Sequence, residues 1–175
     1  LKIVKAVDDF TPTALIKASI EMNHGLDFKG LELRTPTSFC VGATIDLGRE
    51  FNRELELTRR KVKAGAQFFL LQPLFDPSKL NSFVERYAEW YGEDLTSPIF
   101  CGVQIMVPKS QMFGLIPDWV DEDLAKGRSG VEIALQVMEK YMDLGFNSMY
   151  LVPPVFKGGR RDYEVAQSIL EGLGR

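Results

Sequence analysis

The chain holds one histidine, two cysteines and two tryptophans in 175 residues. The lone histidine, His24, sits beside Asn23 and Gly25 at an expected helix end, where it caps the helix or is solvated. That argues against a zinc site and against a Ser-His or Cys-His catalytic pair. The cysteines, Cys40 and Cys101, are far apart and both lie in apolar runs. They read as buried thiols of a cytoplasmic, reducing compartment, not as a disulfide or a metal pair. Positive charge is not in excess: 21 Lys and Arg stand against 24 Asp and Glu, for a net charge of −3 and a pI of about 5.3. Nothing therefore points to nucleic acid or to a membrane surface. No signal peptide is expected, and no apolar run approaches the roughly 20 residues that span a bilayer. No linker or low-complexity tract divides the chain. At 45% hydrophobic and 26% charged residues it is globular with a sizeable core, and residues 1–175 are expected to form a single domain.

Four short apolar runs recur: FCVGATI (Phe39 to Ile45), QFFLLQ (Gln67 to Gln72), IFCGVQIM (Ile99 to Met106) and SMYLV (Ser148 to Val152). Each is nearly continuous in apolar residues, the pattern of parallel strands buried on both faces. Helical patterns lie between them. Arg49 to Ala64 places Phe51, Leu55, Thr58 and Val62 on one face before Gly65. Ser78 is expected to cap a helix with Leu80, Phe83, Val84, Tyr87 and Trp90 on one face. Gly130 to Leu144 carries Val131, Ala134, Val137, Met138 and Tyr141 and is closed by Gly145. Asp162 to Leu173 has Val165, Ile169 and Leu173 as its stripe, and Thr11 with Pro12 opens a first helix to about Met22. The order is one helix and then four βα units, which means α/β with a parallel sheet. No GxGxxG follows a strand, which weakens a dinucleotide-binding doubly wound sheet. The expectation is a TIM (β/α)8 barrel of which the chain covers roughly the second half, since a whole one has about 250 residues.

In barrels, chemistry sits at the C-terminal ends of the strands. Gln72 closes an apolar strand, where an amide is costly unless it has partners. Its mixed donor and acceptor edge suits a heterocycle such as a pterin, or it satisfies loop backbone groups. Asp76 before Pro77 reads as a turn or cap residue. Glu54 and Lys61, seven apart, share a helix face two turns apart, too far for a direct ion pair. With Arg59, Arg60 and Lys63 they read as a solvated charged face. Lys157-Gly158-Gly159-Arg160-Arg161, between the last strand and last helix, is either an anion-binding loop carried by Arg160 and Arg161 or a solvated basic turn.

The stretch RRKVKAGAQFFLLQPLFDP from Arg59 resembles the methylenetetrahydrofolate reductase family. The segments PIFCGVQI (Pro98 to Ile105), IPDWVDEDL (Ile116 to Leu124), GVEIALQVM (Gly130 to Met138) and MYLVPPVF (Met149 to Phe156) follow in the same order and spacing. Upstream, Gly25 to Asp46 is similar to the bacterial branch often fused to a homocysteine methyltransferase. The resemblance implies a flavin-dependent barrel oxidoreductase of one-carbon metabolism and methionine biosynthesis. Hydride would pass from NAD(P)H through FAD, with FMN as the other option, to 5,10-methylenetetrahydrofolate, giving 5-methyltetrahydrofolate. It implies that Gln72 binds the pterin, that Lys61 and Glu54 contact the flavin, and that Thr44 belongs to the same cofactor-binding end.

Two family features have no counterpart here: the strand carrying the catalytic glutamate, and the R-G-D segment near the flavin, which would lie before Leu1. No catalytic residue is therefore assigned, and no metal. The chain begins at Leu1 rather than Met, and the expectation is that it represents part of an enzyme whose own residues hold more binding than chemistry. It would form a homo-oligomer or associate with the missing barrel half, since a half barrel leaves two open sheet edges. The alternative is a non-catalytic folate-binding or assembly subunit.

Overall fold

The computed structural model describes residues 9–112 and 115–173, with Leu173 described in its backbone only. The expectations about Leu1 and about the Leu173 side chain lie outside the described residues. The elements run α1 (Pro12–Asn23), β1 (Gly42–Ile45), α2 (Phe51–Lys63), β2 (Phe68–Leu71), α3 (Ser78–Tyr91), β3 (Ile99–Gln104), α4 (Asp118–Ala125), α5 (Gly130–Asp143), β4 (Met149–Val152) and α6 (Tyr163–Leu173). The strands form one sheet in the order β1-β2-β3-β4, and every pairing is parallel. A doubly wound sheet reverses its strand order at a switch point. These four strands do not, and their sequential order is consistent with part of a barrel.

Local chemistry accounts for the helix ends. The Thr11 side chain accepts from the Ala14 amide and Pro12 follows in the first turn of α1, where a missing N–H costs nothing. Ser129 and Glu132 make a reciprocal capping box at the start of α5. The Ser129 amide and hydroxyl, both donating to it, hold the Glu132 carboxyl below the usual carboxylate range, the backbone bond contributing most. At α3 the expectation for Ser78 fails: the N-cap is Pro77, with no side-chain cap bond. Asp76 takes that part, accepting from the Ser78 amide at 3.2 Å and its hydroxyl at 2.6 Å. The short helix α4, within the third βα unit, has no strong apolar stripe and only Val120 is buried, so periodicity did not reveal it.

The core lies between one face of the sheet and the helices. Ile45, Phe69, Leu71, Cys101 and Val103 are buried there against Leu55, Leu80, Phe83, Tyr87, Ile133, Val137 and Tyr141. Trp90, expected in the α3 stripe, is 44% exposed; Tyr91 packs on the core in its place. The other face of the sheet corrects the expectation of strands buried on both sides. Thr44, Leu70 and Phe100 are in register across three strands, and all three are exposed. Cys40, at the lower end of the same face, is exposed as well, whereas Cys101 is buried. Burial pushes the Cys101 thiol up to about 12.

Two glycines allow close approaches on which the sheet depends. The Phe68 ring lies over Gly42, where an added Cβ would be 2.3 Å from it. At Gly130, the first residue of α5, a Cβ would stand 1.5 Å from the Met106 carbonyl oxygen, so this helix start rests directly on the backbone leaving β3. Gly130→Ala is therefore expected to lower stability by about 2 kcal/mol or more, measured by urea denaturation. Thiol titration of the native protein at pH 8 is expected to label Cys40 and to reach Cys101 only on unfolding.

Candidate functional site

The C-terminal end of β1 is held by a buried charged knot. Lys61 and Glu54 project from the α2 face that packs beneath the strand end, with side-chain exposures of 10% and 2%. The Lys61 ammonium donates to the Thr44 carbonyl at 2.6 Å and to Glu54 Oε1 at 3.1 Å. The same carboxylate oxygen accepts from the Asp46 amide at 3.3 Å. The expectation that these two residues are too far apart to pair, and merely line a solvated face, is thus overturned. Two long side chains leaning toward each other close the two-turn gap, and both are drawn to the backbone groups of the strand end. Asp46 in turn accepts from the Gly48 amide and binds Arg49 at 2.9 Å, and Glu50 caps α2 through the Asn52 and Arg53 amides. The loop from β1 into α2 is therefore fixed at nearly every residue.

Above this knot opens a cleft of about 700 Å³ between α1, α2 and the ends of β1 and β2. Thr44, Glu54, Lys61 and Gln72 all line it, so the structure brings the four sequence-predicted cofactor and substrate residues together. Gln72 closes β2 with its amide donating to the Ile45 carbonyl at 2.9 Å. Among the described residues its side-chain carboxamide makes no hydrogen bond, so it does not serve the loop backbone. It also lines a second cleft of about 450 Å³, bounded by Leu47, Phe75, Asp76, Lys79, Ile116 and Asp118. Asp46 and Gln72 belong to both clefts. They stand on the ridge between a larger and a smaller compartment.

The larger cleft is strongly cationic. Lys17, Arg49, Arg53, Arg60 and Lys61 line it together with Asp46 and Glu54, a surplus of three positive charges on a chain whose net charge is −3. Lys61 is committed to Glu54 and Arg49 to Asp46. Lys17, Arg53 and Arg60 make no ion pair among the described residues. Sequence reasoning put Arg60 on a solvated face and passed over Lys17 and Arg53. The available signal was the spacing: Arg53 and Arg60, seven apart, lie on one face of α2 about 10 Å from each other along the axis.

Arg160 and Arg161 are not brought to either Gln72 cleft. They sit on an exposed turn, the Arg160 guanidinium 4.4 Å over the Phe156 ring and Phe156 donating its amide to the Arg160 carbonyl. At the adjacent start of α6, Asp162 accepts from the Val165 amide, so a carboxylate already stands where an anion would dock. His24 is the exposed C-cap of α1, as expected. Among the described residues no cluster of His, Cys, Asp or Glu could hold a metal ion, and no helix is long and apolar enough to cross a membrane.

No known family's sequence profile matches the chain, and no curated protein matches it in sequence. Among solved structures, it is similar to an uncharacterized protein from Clostridium thermocellum described as binding two copies of 5-methyl-5,6,7,8-tetrahydrofolic acid. The TM-score is 0.55 at 15% identity, over 75% of this chain and 52% of that one. The likeness is one of fold, and the chain spans about half the length of that protein.

The knot makes a quantitative prediction. Glu54→Ala leaves the Lys61 ammonium buried without its partner, and is expected to cost about 3–5 kcal/mol of stability in urea denaturation. The double variant Glu54→Leu, Lys61→Met removes both charges and is expected to recover most of that loss.

Proposed function

We propose that this chain is the ligand-binding part of a folate-dependent barrel oxidoreductase, with Gln72 as the pterin-recognising residue. The observation that carries the reading is the Gln72 carboxamide: it ends a core strand, faces two clefts and has no protein partner among the described residues. Half-buried in the wall of both clefts, this amide is left to bond water until a ligand offers an acceptor and a donor in its place, and a pterin edge supplies both. The resemblance of the Gln72 block to methylenetetrahydrofolate reductases supports the same assignment. So does the folate described for the fold neighbour.

The larger cleft suits a flavin dinucleotide. Its cationic wall fits a diphosphate, whose charges pair best with arginines. Lys17, Arg53 and Arg60 would hold it, because Lys61 is engaged by Glu54 and Thr44. The smaller cleft would then take the folate, with Gln72 between the two ligands. The chemistry a bound flavin would supply here is hydride transfer from NAD(P)H to the folate. The chain's part is to orient both rings and to supply the electrostatic field that keeps them in place.

Of the four carboxylates lining the clefts, Asp46, Glu54 and Asp76 are each bound to a neighbour, Arg49, Lys61 and Ser78 respectively, while Asp118 at the start of α4 makes no hydrogen bond or ion pair among the described residues. With three of the four committed, a second reading is that the chain binds folate without reducing it. On either reading the open face of the sheet needs cover, since parallel sheets are buried on both sides. An apolar hollow of about 430 Å³, with Phe68, Leu70 and Phe100 in its wall, supports closure by further parallel strands of the same kind.

Titration of the protein with 5-methyltetrahydrofolate is expected to show binding that Gln72→Ala weakens about tenfold, the effect of losing two neutral hydrogen bonds. Reconstitution with FAD is expected to give a yellow protein, whose flavin affinity falls in Arg53→Ala and Arg60→Ala and with rising salt. Folate binding without flavin uptake would establish the second reading. Failure to bind folate would overturn both.

A further inference from the structure

The peptide unit that carries Gln72 is gripped at both of its polar ends. Its N–H donates to the Ile45 carbonyl of β1 at 2.9 Å. Its C=O, which belongs to Leu71, accepts from the Tyr150 hydroxyl at 2.8 Å. Tyr150 stands on β4, two strands away, and is paired in register with Gly102 of β3. It reaches β2 because Gly102 presents no side chain. A Cβ there would lie 2.6 Å from the Leu71 oxygen and 2.7 Å from the Tyr150 hydroxyl. One glycine thus opens a passage that one tyrosine crosses. Partial burial, with Cys101 as a secondary influence, raises the phenol above its ordinary value, so it remains a protonated donor throughout the neutral range.

We propose that Tyr150 is a positioning residue for Gln72. By fixing the Leu71–Gln72 peptide plane from above, with β1 fixing it from the side, it sets the direction in which the carboxamide leaves the strand. The inference rests on the reading of Gln72 as a ligand-binding residue and adds to it a device, the Tyr150–Gly102 latch, that keeps the amide aimed. A hydroxyl that merely satisfies a convenient carbonyl would contribute to stability alone. One that aims Gln72 must contribute to binding through Gln72.

A double-mutant cycle separates these. Tyr150→Phe keeps the ring and removes only the donor, so the fold is preserved. Calorimetric titration with 5-methyltetrahydrofolate is expected to show about a fivefold weaker affinity in Tyr150→Phe. In a Gln72→Ala background the same change is expected to alter affinity by less than about twofold, the non-additivity of residues acting as one unit. Gly102→Ala, which obstructs the passage without touching either side chain chemically, is expected to match the loss seen in Tyr150→Phe. An equal loss in both backgrounds, or no loss in the first, overturns the inference while leaving the folate reading standing. Absence of folate binding in the unaltered protein removes both, and Gln72→Ala binding as well as the parent removes the role of Gln72 on which the latch acts.

Discussion

A buried ammonium beneath the end of β1 is the constraint on which the site depends. An edge strand carries carbonyls that no neighbouring strand satisfies, and Lys61 answers one of them, Thr44, from the helix behind. A charge so placed is tolerable only with a counter-charge, which Glu54 supplies. The same carboxylate then holds the Asp46 amide, where the chain turns out of the strand. Strand end, loop and helix are tied by one pair of side chains, and the floor of the larger cleft is this tie. The pair is thus architectural before it is anything else. The cations left to meet a ligand are the ones around it.

That division of labour shapes the charge of the molecule. The protein as a whole is slightly acidic, yet the cleft above the knot is basic. Opposite signs in bulk and cleft repel anions weakly at a distance and attract them strongly close to the site, where solvent screening is reduced. Beside the basic compartment stands a smaller one with Leu47, Phe75 and Ile116 in its wall, better suited to a flat, largely uncharged ring. On the reading proposed above, Gln72 on the ridge between them would read a ring edge while the wall of cations holds a charged remainder.

The four strands and most helices were legible because burial against one layer of helices imposes strong periodicity. Leu80, Phe83 and Tyr87 on α3, or Ile133, Val137 and Tyr141 on α5, mark their faces without ambiguity. The open face of the sheet was not legible, because Leu70 and Phe100 are apolar whether or not anything covers them. Cys40 was misplaced for the same reason. Gln72 stood out as a polar end to an apolar strand, and Thr44 shares its cleft. The pairing of Glu54 with Lys61 did not stand out. Spacing along a helix measures distance between backbone positions, whereas long side chains converge on a common target that only the fold supplies. The helix α4, with one buried residue, carries too little periodic signal to announce itself.

The bond from Tyr150 to Leu71 joins residues 79 positions apart, and it attaches the last strand of the sheet to the second. Until β4 has docked, the Leu71 carbonyl lacks the bond from the Tyr150 hydroxyl. The ridge between the two clefts therefore has its full set of bonds only with β4 in place. Long-range pairings of this kind form late, because their loop-closure entropy must be met before any contact rewards it. On the reading proposed for Gln72, recognition of a ring is then a property of the completed sheet and not of the segment that contains it.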